Sequence, residues 1–508
     1  MIARLDTLLG KMTMYRQVVY TLAVLQLLAV LFSALGLIGT GGPLEMVVSF
    51  AVLFVATTLI NRLFAAIFRM RAHNLSTLIT AQILFFLLAP PHLDQPLRLV
   101  ALAVAGAIAV ASKYLLAIRG RHLVNPAAFG TLVIVALSAV VPAWRTTTWW
   151  IATDWMLPFV VVGGILILFR TRRLPMGGVF VAAATVAGLA YYVILGAPLL
   201  DSVRFVLVTS PILFLGGFML SEPLTLPPRR WQQLGYAVVV GVLMWGTSWI
   251  PVVGNHPEFA LLVANVLAFL VGQRRGIRLV FAGKRQLSPT SWEFDFTPEK
   301  PVTFRPGQFM ELTLPHAGSD SRGWRRVFSI ASAPGGQVRF GIRLPEKSSS
   351  FKRALLDLAP GSQVSATAVG GDFLLPAVPK TPLLLVAGGI GITPFIGSLE
   401  QAAVEKGLRD IVVVYAISST DDLAYVDRLT GAGCRVILAS PEKPAELPAG
   451  WTWIGPGRVT GESLLAAVPD AVKREAFLSG PPTMVADLRR ALRQSGVHRV
   501  HTDVFVGY

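Results

Sequence analysis

The stretch "LLLVAGGIGITPF" occupies residues 383–395, and its reading decides the fold of the C-terminal half. Leu383 to Ala387 form an unbroken apolar run of strand length, as expected for a strand buried on both faces. Glycines follow, and a helix is expected from about Pro394, because proline suits a first helical turn, where its missing N–H would be unpaired anyway. Glycines let a backbone approach a pyrophosphate, and a helix N-terminus favours the anion. Thr393-Pro394 replaces the third glycine of the common dinucleotide fingerprint. The same glycines would also make a plain tight turn, so this stretch alone leaves both readings open.

Working outward, the strand-then-helix pattern continues in "DIVVVYAI" (410–417) and "REAFLSGPPTMVADLRRALRQSG" (474–496). That alternation gives an α/β domain with a parallel sheet over 377–508. Upstream, over 277–376, lie short β-like runs separated by turn residues: "IRLVFAGKRQL", "SWEFDFTP", "QFMELTLP", "RRVFSIASAP" and "QVRFGIRL". They give an antiparallel β-barrel. In "RRVFSIASAP" (325–334), Arg326 and Phe328 share one strand face and Ser329 points to the other unless the strand bulges. In "EKSSSFKRALLDL" (346–358), three serines stand at a helix start, either as N-caps or as a second phosphate cradle.

The chain before Arg274 is different. The protein has 508 residues with only 14% charged, against about 25% in ordinary soluble proteins, and its mean hydropathy is +0.62. Apolar runs near 20 residues long recur, enough to cross a hydrocarbon core. Ten spans are expected, at about 17–38, 44–62, 75–90, 97–117, 126–142, 154–169, 177–195, 203–220, 234–250 and 257–272, giving a polytopic α-helical membrane domain over 1–273. Their connections alternate in charge. One set carries Arg62, Arg69, Arg71, Lys113, Arg119, Arg121, Arg170, Arg172, Arg173, Arg229 and Arg230; the other carries Arg98, Arg145 and Arg204 with Glu45, Asp94, Asp154, Asp201 and Glu258. Positive residues stay cytoplasmic, so both termini and the soluble half are expected there, in a bacterial-type inner membrane. The net charge of +17 is thereby read as topology-setting, not as a nucleic-acid footprint. The single Cys434 excludes an intramolecular disulfide framework and any cluster held by four cysteines of this chain. The first apolar run, from Gln17, is too long for a signal-peptide core.

Taken in order, "RPGQF" (305–309), "RVFS" (326–329), "SSSF" (348–351), "GGIGITP" (388–394), "SGPP" (479–482) and the terminal "DVFVGY" (503–508) resemble the ferredoxin–NADP reductase superfamily over about 277–508. The resemblance implies FAD and NADH or NADPH as cofactors. It implies that the segment Arg326, Val327, Phe328 and Ser329 binds flavin, with Arg326 on the phosphates, Phe328 against the ring and Ser329 near N5. Ser349 and Ser350 would hold the pyrophosphate. Gly389, Gly391, Thr393 and Pro394, with Gly480 and Pro481, would receive the nicotinamide nucleotide. Ser479 replaces a cysteine that many members place beside the nicotinamide, and Tyr508, or alternatively Phe505, would cover the flavin. Ser329, Ser479 and Tyr508 are thus the expected catalytic residues. The turn "SSTDDLAY" (418–425) has no arginine for a 2′-phosphate, and Asp421 and Asp422 would repel one, which favours NADH.

"RGRHLVNPAAFG" (119–130) and "FMLSEPLTLPPRR" (218–230) read as a helix start capped by Asn125 and a proline-rich loop stop. Both also resemble the D-type membrane protein of Rnf electron-transport complexes and the B-type membrane protein of sodium-translocating NADH:quinone reductases, with Glu222 in place of an aspartate. Those proteins carry FMN on a threonine in a Ser-Gly-Ala-Thr motif that this chain lacks. The resemblance therefore implies at most a non-covalent FMN or riboflavin near Asn125 and Thr225. No metal site is expected: His73, His92, His122 and His256 do not fall at stacked within-span positions, so a haem pair is not formed. The expected function is a membrane-bound flavin-dependent NAD(P)H oxidoreductase that passes electrons into or across the lipid bilayer, to quinone, a membrane flavin or an extracytoplasmic flavoprotein. The alternatives are a redox-driven ion-translocating membrane protein and an electron-transfer component without turnover of its own.

Overall fold

The computed structural model describes residues 14–505 except 69–71, 73, 119–120, 250–255, 274–275, 319, 321–322, 347, 377, 379 and 405–408. Tyr508 lies outside the described residues, as does His73. The chain forms two compact units, Met12–Arg274 and Arg275–Tyr508.

The first unit is helical: α1 (Met14–Ala34), α2 (Pro43–Ile67), α3 (Asn74–Leu87), α4 (Pro96–Leu115), α5 (Pro126–Leu137), α6 (Leu157–Arg170), α7 (Leu174–Ile194), α8 (Leu199–Thr209), α9 (Ile212–Met219), α10 (Arg230–Gly246) and α11 (Pro257–Ala268). Among the described residues α1, α2, α4 and α7 are long and apolar enough to cross a membrane, and α8 with α9 would make a fifth crossing bent by 41°. The bend falls at Ser210-Pro211, where proline removes a helical donor and π-helical turns flank the break. The ten apolar runs therefore do not translate into ten full-length helices. α3, α5, α6 and α11 are apolar but stop short of the roughly 20 residues a crossing needs. The outward faces are apolar too: Leu27 and Leu31 on α1, Val55 and Leu59 on α2, and Val186 and Val193 on α7 are exposed. A water-facing helix carries polar residues on that face, so these surfaces are compatible with insertion in hydrocarbon.

Inside this unit, helices approach where side chains are smallest. A Cβ added at Gly217 would sit 2.6 Å from the Cα of Gly164 on α6, the close backbone packing that small residues permit.

The second unit holds two six-stranded sheets. The antiparallel sheet contains β1 (Ile277–Ser288), β2 (Ser291–Pro298), β3 (Phe309–Thr313), β4 (Arg325–Ser329), β5 (Val338–Arg343) and β6 (Gln363–Gly370), in the order β4-β3-β6-β1-β2-β5; the short helix α12 (Ser350–Leu356) precedes β6. Its inward residues, including Phe281, Phe294, Phe296, Phe340 and Met310, form one core. Just beyond the end of edge strand β4, Ala331 N–H donates to the Arg339 carbonyl of the other edge strand, β5, at 2.7 Å.

The parallel sheet contains β7 (Leu383–Gly388), β8 (Ile411–Ala416), β9 (Arg435–Ala439), β10 (Trp451–Trp453), β11 (Glu475–Gly480) and β12 (Val500–Val504), ordered β10-β9-β8-β7-β11-β12. Helices α13 (Thr393–Val404), α14 (Val426–Gly431), α15 (Gly461–Ala467) and α16 (Pro482–Gln494) connect the strands. β7 is central and covered on both faces, so its alternating residues enter two cores. Leu383, Leu385 and Ala387 pack with α13 and α14; Leu384 and Val386 pack with α15 and α16. That is why the run reads as continuously apolar.

Replacing Gly217 with leucine should cost more than the about 1–3 kcal/mol usual for overpacking, because backbone cannot yield as a side chain can. In detergent, size-exclusion chromatography should show loss of the monodisperse peak for G217L. G178L, where nothing lies within 4 Å of the added atom, should elute as the parent does.

Candidate functional site

β7 ends at Gly388, the chain turns through a 3-10 segment at Gly389–Ile392, and α13 starts at Thr393. Gly389 has φ +53°, a conformation that favours glycine. A Cβ at Gly391 would lie 2.6 Å from the Ser479 carbonyl oxygen and 2.8 Å from the Gly480 Cα. The turn "GGIGITP" and the turn "SGPP" are therefore in backbone contact at the C-terminal ends of neighbouring strands, where open α/β sheets bind their ligands. Ser479 is fully buried, and its hydroxyl has no hydrogen-bond partner among the described residues. A cradle of bare backbone with an orphaned hydroxyl in its floor fits a nucleotide. Thr393 and Pro394 are buried, and the Thr393 hydroxyl donates to the Ile390 carbonyl at 3.0 Å. They shape the turn, and Gly389 lines it. Phe505 N–H donates to the Gly480 carbonyl at 2.9 Å, which runs the end of β12 past the same turn.

On β4, the register with β3 is continuous, pairing Leu312 with Arg326, Met310 with Phe328 and Phe309 with Ser329. Without a bulge, Arg326 and Phe328 share a face. Both reach Phe351 at the start of α12: the Arg326 guanidinium lies 5.5 Å from its ring centroid and Phe328 lies 5.9 Å away. Val327 is exposed and Ser329 buried, both on the opposite face from Phe328. Ser349 caps α12 by accepting from Lys352 N–H at 3.3 Å. Ser350 is engaged from three sides. Its N–H donates to the Asp320 carboxylate (3.1 Å), its oxygen accepts from Asp320 N–H (2.8 Å), and its Oγ lies 3.0 Å from His316 Nε2. His316 Nδ1 donates to the Leu314 carbonyl at 2.8 Å, since a carbonyl oxygen can only accept. Asp320 also stands 3.7 Å from Arg326 Nη2. The structure thus gathers Arg326, Phe328, Ser349 and Ser350 and adds His316 and Asp320. The latter pair sits in the β3–β4 connection, and no spacing rule points to it.

Asp422 is not where the sequence reading needs it. It is buried and held by Arg343 (3.0 Å), Thr290 (2.8 Å) and Ser418 (2.6 Å). Its charge is matched by Arg343, whereas Asp421 is exposed. Cys434 is half-buried, and burial pushes its thiol up to about 11, so it stays protonated at neutral pH and unreactive.

In the helical unit, the two motifs separated in sequence meet. Asn125 caps α5 by accepting from Ala128 N–H (3.1 Å), and its Nδ2 donates to Glu222 (2.7 Å). Asn125 N–H donates to Asn265 (2.8 Å), whose amide donates to the Tyr236 hydroxyl (2.7 Å). Thr225 is buried beside the Glu222 carbonyl, and His122 Nδ1 lies 3.6 Å from the Glu222 carboxylate. Elsewhere Glu258, fully buried, accepts from Trp149 Nε1 (2.7 Å) and lies 3.3 Å from His256 Nδ1.

Residues 385–490 match the family described as oxidoreductase NAD-binding domain. The chain is 30% identical over 238 residues to the toluate 1,2-dioxygenase electron transfer component of Pseudomonas putida, covering 44% of this chain and 66% of that protein. It is 30% identical over 215 residues to the ferredoxin–NAD(+) reductase component of the alkene monooxygenase system of Xanthobacter autotrophicus, covering 41% and 63%. Among solved structures it resembles a ferredoxin NADP+ reductase from Neisseria gonorrhoeae with bound FAD and NADP, at 18% identity and a TM-score of 0.38, over 45% of this chain and 98% of that one. The chain spans less than two thirds of the length of both curated relatives.

Arg326→Ala should lose bound flavin while the helical unit still inserts. Removing a charge-assisted bond to phosphate costs roughly 1.5–3 kcal/mol, about 10- to 150-fold in affinity. Flavin occupancy after dilution measures it, and full occupancy would move the phosphate contact off Arg326.

Proposed function

We propose that this protein is a membrane-bound, flavin-dependent NAD(P)H oxidoreductase that takes electrons from cytoplasmic NAD(P)H through FAD into or across the bilayer. The observation that carries the reading is the backbone contact between the glycine turn of residues 388–394 and the turn of residues 479–482, within the segment that matches an oxidoreductase NAD-binding domain. In this reading residues 1–273 are the membrane domain, 277–376 the FAD-binding barrel and 377–508 the nucleotide-binding domain. Arg326 and Ser349 face the flavin phosphates, with Ser350 anchoring the α12 start, and Phe328 packs toward the ring. Gly389 and Gly391 admit the nicotinamide nucleotide, and Ser479, Gly480 and Pro481 form the floor beneath it. Ser329 borders the flavin from the far side of β4, and Tyr508 or Phe505 covers the flavin until nucleotide enters.

The chemistry would be the cofactors': bound NAD(P)H would supply a hydride, two electrons with one proton, and bound FAD would take it up and pass the electrons on singly. The chain's residues would hold and orient the two cofactors so that the reacting atoms meet, a productive approach being about 3–3.5 Å.

The helical unit, with both ends cytoplasmic, receives the electrons, in keeping with its resemblance to the Rnf membrane protein and its sodium-translocating counterpart. The meeting of Asn125 with Glu222 supports treating its two motifs as one site, with a non-covalent FMN or riboflavin as its occupant. Quinone or an extracytoplasmic flavoprotein is the acceptor. A second reading, redox-driven ion translocation, draws support from Glu258, because buried carboxylates in membrane helices mark ion and proton paths.

Acid extraction of the purified protein should release FAD, with no Soret absorbance. An extract without flavin, or a strong Soret band, contradicts the proposal. NADH should exceed NADPH in kcat/KM by roughly tenfold, the equivalent of about 1.4 kcal/mol, because the turn "SSTDDLAY" offers a 2′-phosphate the charge of Asp421 and no arginine of its own. Asp421→Ser should narrow that ratio in steady-state assays; a wild-type preference for NADPH reverses the assignment.

A further inference from the structure

The two sheets of the second unit are joined by a cluster of charges that the sequence does not advertise. Arg428 on α14 donates from Nη1 to Glu293 Oε1 (2.8 Å) and from Nη2 to Glu293 Oε2 (2.6 Å), a two-pronged fork onto a carboxylate of β2. Its Nε lies 3.3 Å from Glu400 of α13, and its Nη1 also reaches the Ala331 carbonyl at 3.3 Å. Glu400 accepts in turn from Arg339 of β5 (3.0 Å) and from Ala333 N–H (2.9 Å). Arg285 of β1 stands 3.3 Å from Glu293. Glu293 is almost fully buried, and Arg428 is largely so.

Stability alone is a weak reason for such a cluster, since apolar side chains of similar volume often hold an interface as well or better. What ions add is direction: a guanidinium fork fixes angle as well as distance. Here the direction is applied at one place. Residues 331–333 follow, one residue on, the end of the strand that carries Arg326 and Phe328. All three are gripped: Ala331 by Arg428, Ala333 by Glu400, and Ser332 by α13 itself, where a Cβ at Gly397 would meet the Ser332 oxygen at 2.3 Å. α13 is the helix whose start is the glycine turn. The same few residues therefore tie the flavin strand to the nucleotide turn.

We infer that Arg428 is a positioning residue for hydride transfer: through Glu293, Glu400 and Ala331 it sets how closely the nicotinamide presented by the glycine turn approaches the flavin carried on β4. The inference rests on the proposed oxidoreductase reading. Arg428 touches neither ring and acts only through the clamp. A misplacement near 1 Å in such a geometry costs about 100-fold in rate.

The test uses full-length protein in mild detergent, loaded with FAD. In R428A, FAD occupancy and the dissociation constant for NAD+ should stay within about twofold, while stopped-flow flavin reduction by NADH falls roughly 10- to 100-fold. An opening of about 250 Å³, lined by Arg285, Leu287, Tyr425, Asp427 and Arg428 among others, gives a small cation a route to the vacated place. Millimolar guanidinium should therefore restore part of the R428A rate and leave wild type unchanged. R428K keeps the charge without the fork and should also be slow with FAD retained. If R428A folds poorly, R428K carries the test. Independently of turnover, hydrogen exchange at the amides of 331–333 should rise in R428A. Wild-type reduction rates in both variants, or unchanged exchange at those amides, overturn the inference. Failure of the wild-type flavin to be reduced by either nucleotide would instead sink the oxidoreductase reading, and the exchange result would still judge the clamp.

Discussion

The second unit depends on one steric constraint: Gly391 lies so close to the Ser479–Gly480 backbone that no side chain fits between them. The loops at the C-terminal ends of β7 and β11 touch through bare backbone, so the floor of the crevice is made of peptide groups and one buried hydroxyl, that of Ser479. Such a surface can lie flat against a nucleotide. The constraint also fixes where α13 starts, and hence what its other end meets. Glu400, two turns along, lands on the segment that follows β4. One helix thereby joins the glycine turn to the end of β4.

The parts legible in the sequence were those with a local cause. The unbroken apolar run at 383–387 reads as a central strand because two cores claim its alternating residues. Arg326 and Phe328 share a face because strand periodicity is two and β4 carries no bulge. The Asn125 cap follows from its place before Pro126. What was illegible needed long-range pairing. Asp422 looks like a free acid in "SSTDD", yet Arg343, 79 positions earlier, holds it. His316 and Asp320 lie in an ordinary polar connection, and only the topology puts them beside Ser350. Hydropathy located the helices of the first unit but overstated several lengths, because proline and short connections end them early.

In the helical unit, the carboxylates of Glu222 and Glu258 are each held by neighbouring polar side chains. Glu222, which looked like a departure from its motif, is the residue that accepts from Asn125. A carboxylate in apolar surroundings is costly unless hydrogen-bonded, so its pairing with Asn125 and His122 explains how the fold tolerates it. Glu258 is treated the same way by Trp149 and His256. Asn125 and Glu222 thus each have a structural task.

The central claim is that electrons taken from NAD(P)H by the second unit enter the first. The most direct measurement places the FAD-loaded protein in sealed anaerobic vesicles, with NADH outside, quinone in the bilayer and a membrane-impermeant acceptor trapped within. The account predicts that the flavin absorbance bleaches and that quinone or the trapped acceptor is then reduced, only in vesicles whose second unit faces outward. Bleaching followed by reduction of external acceptors alone, with the bilayer and the lumen untouched, would contradict it.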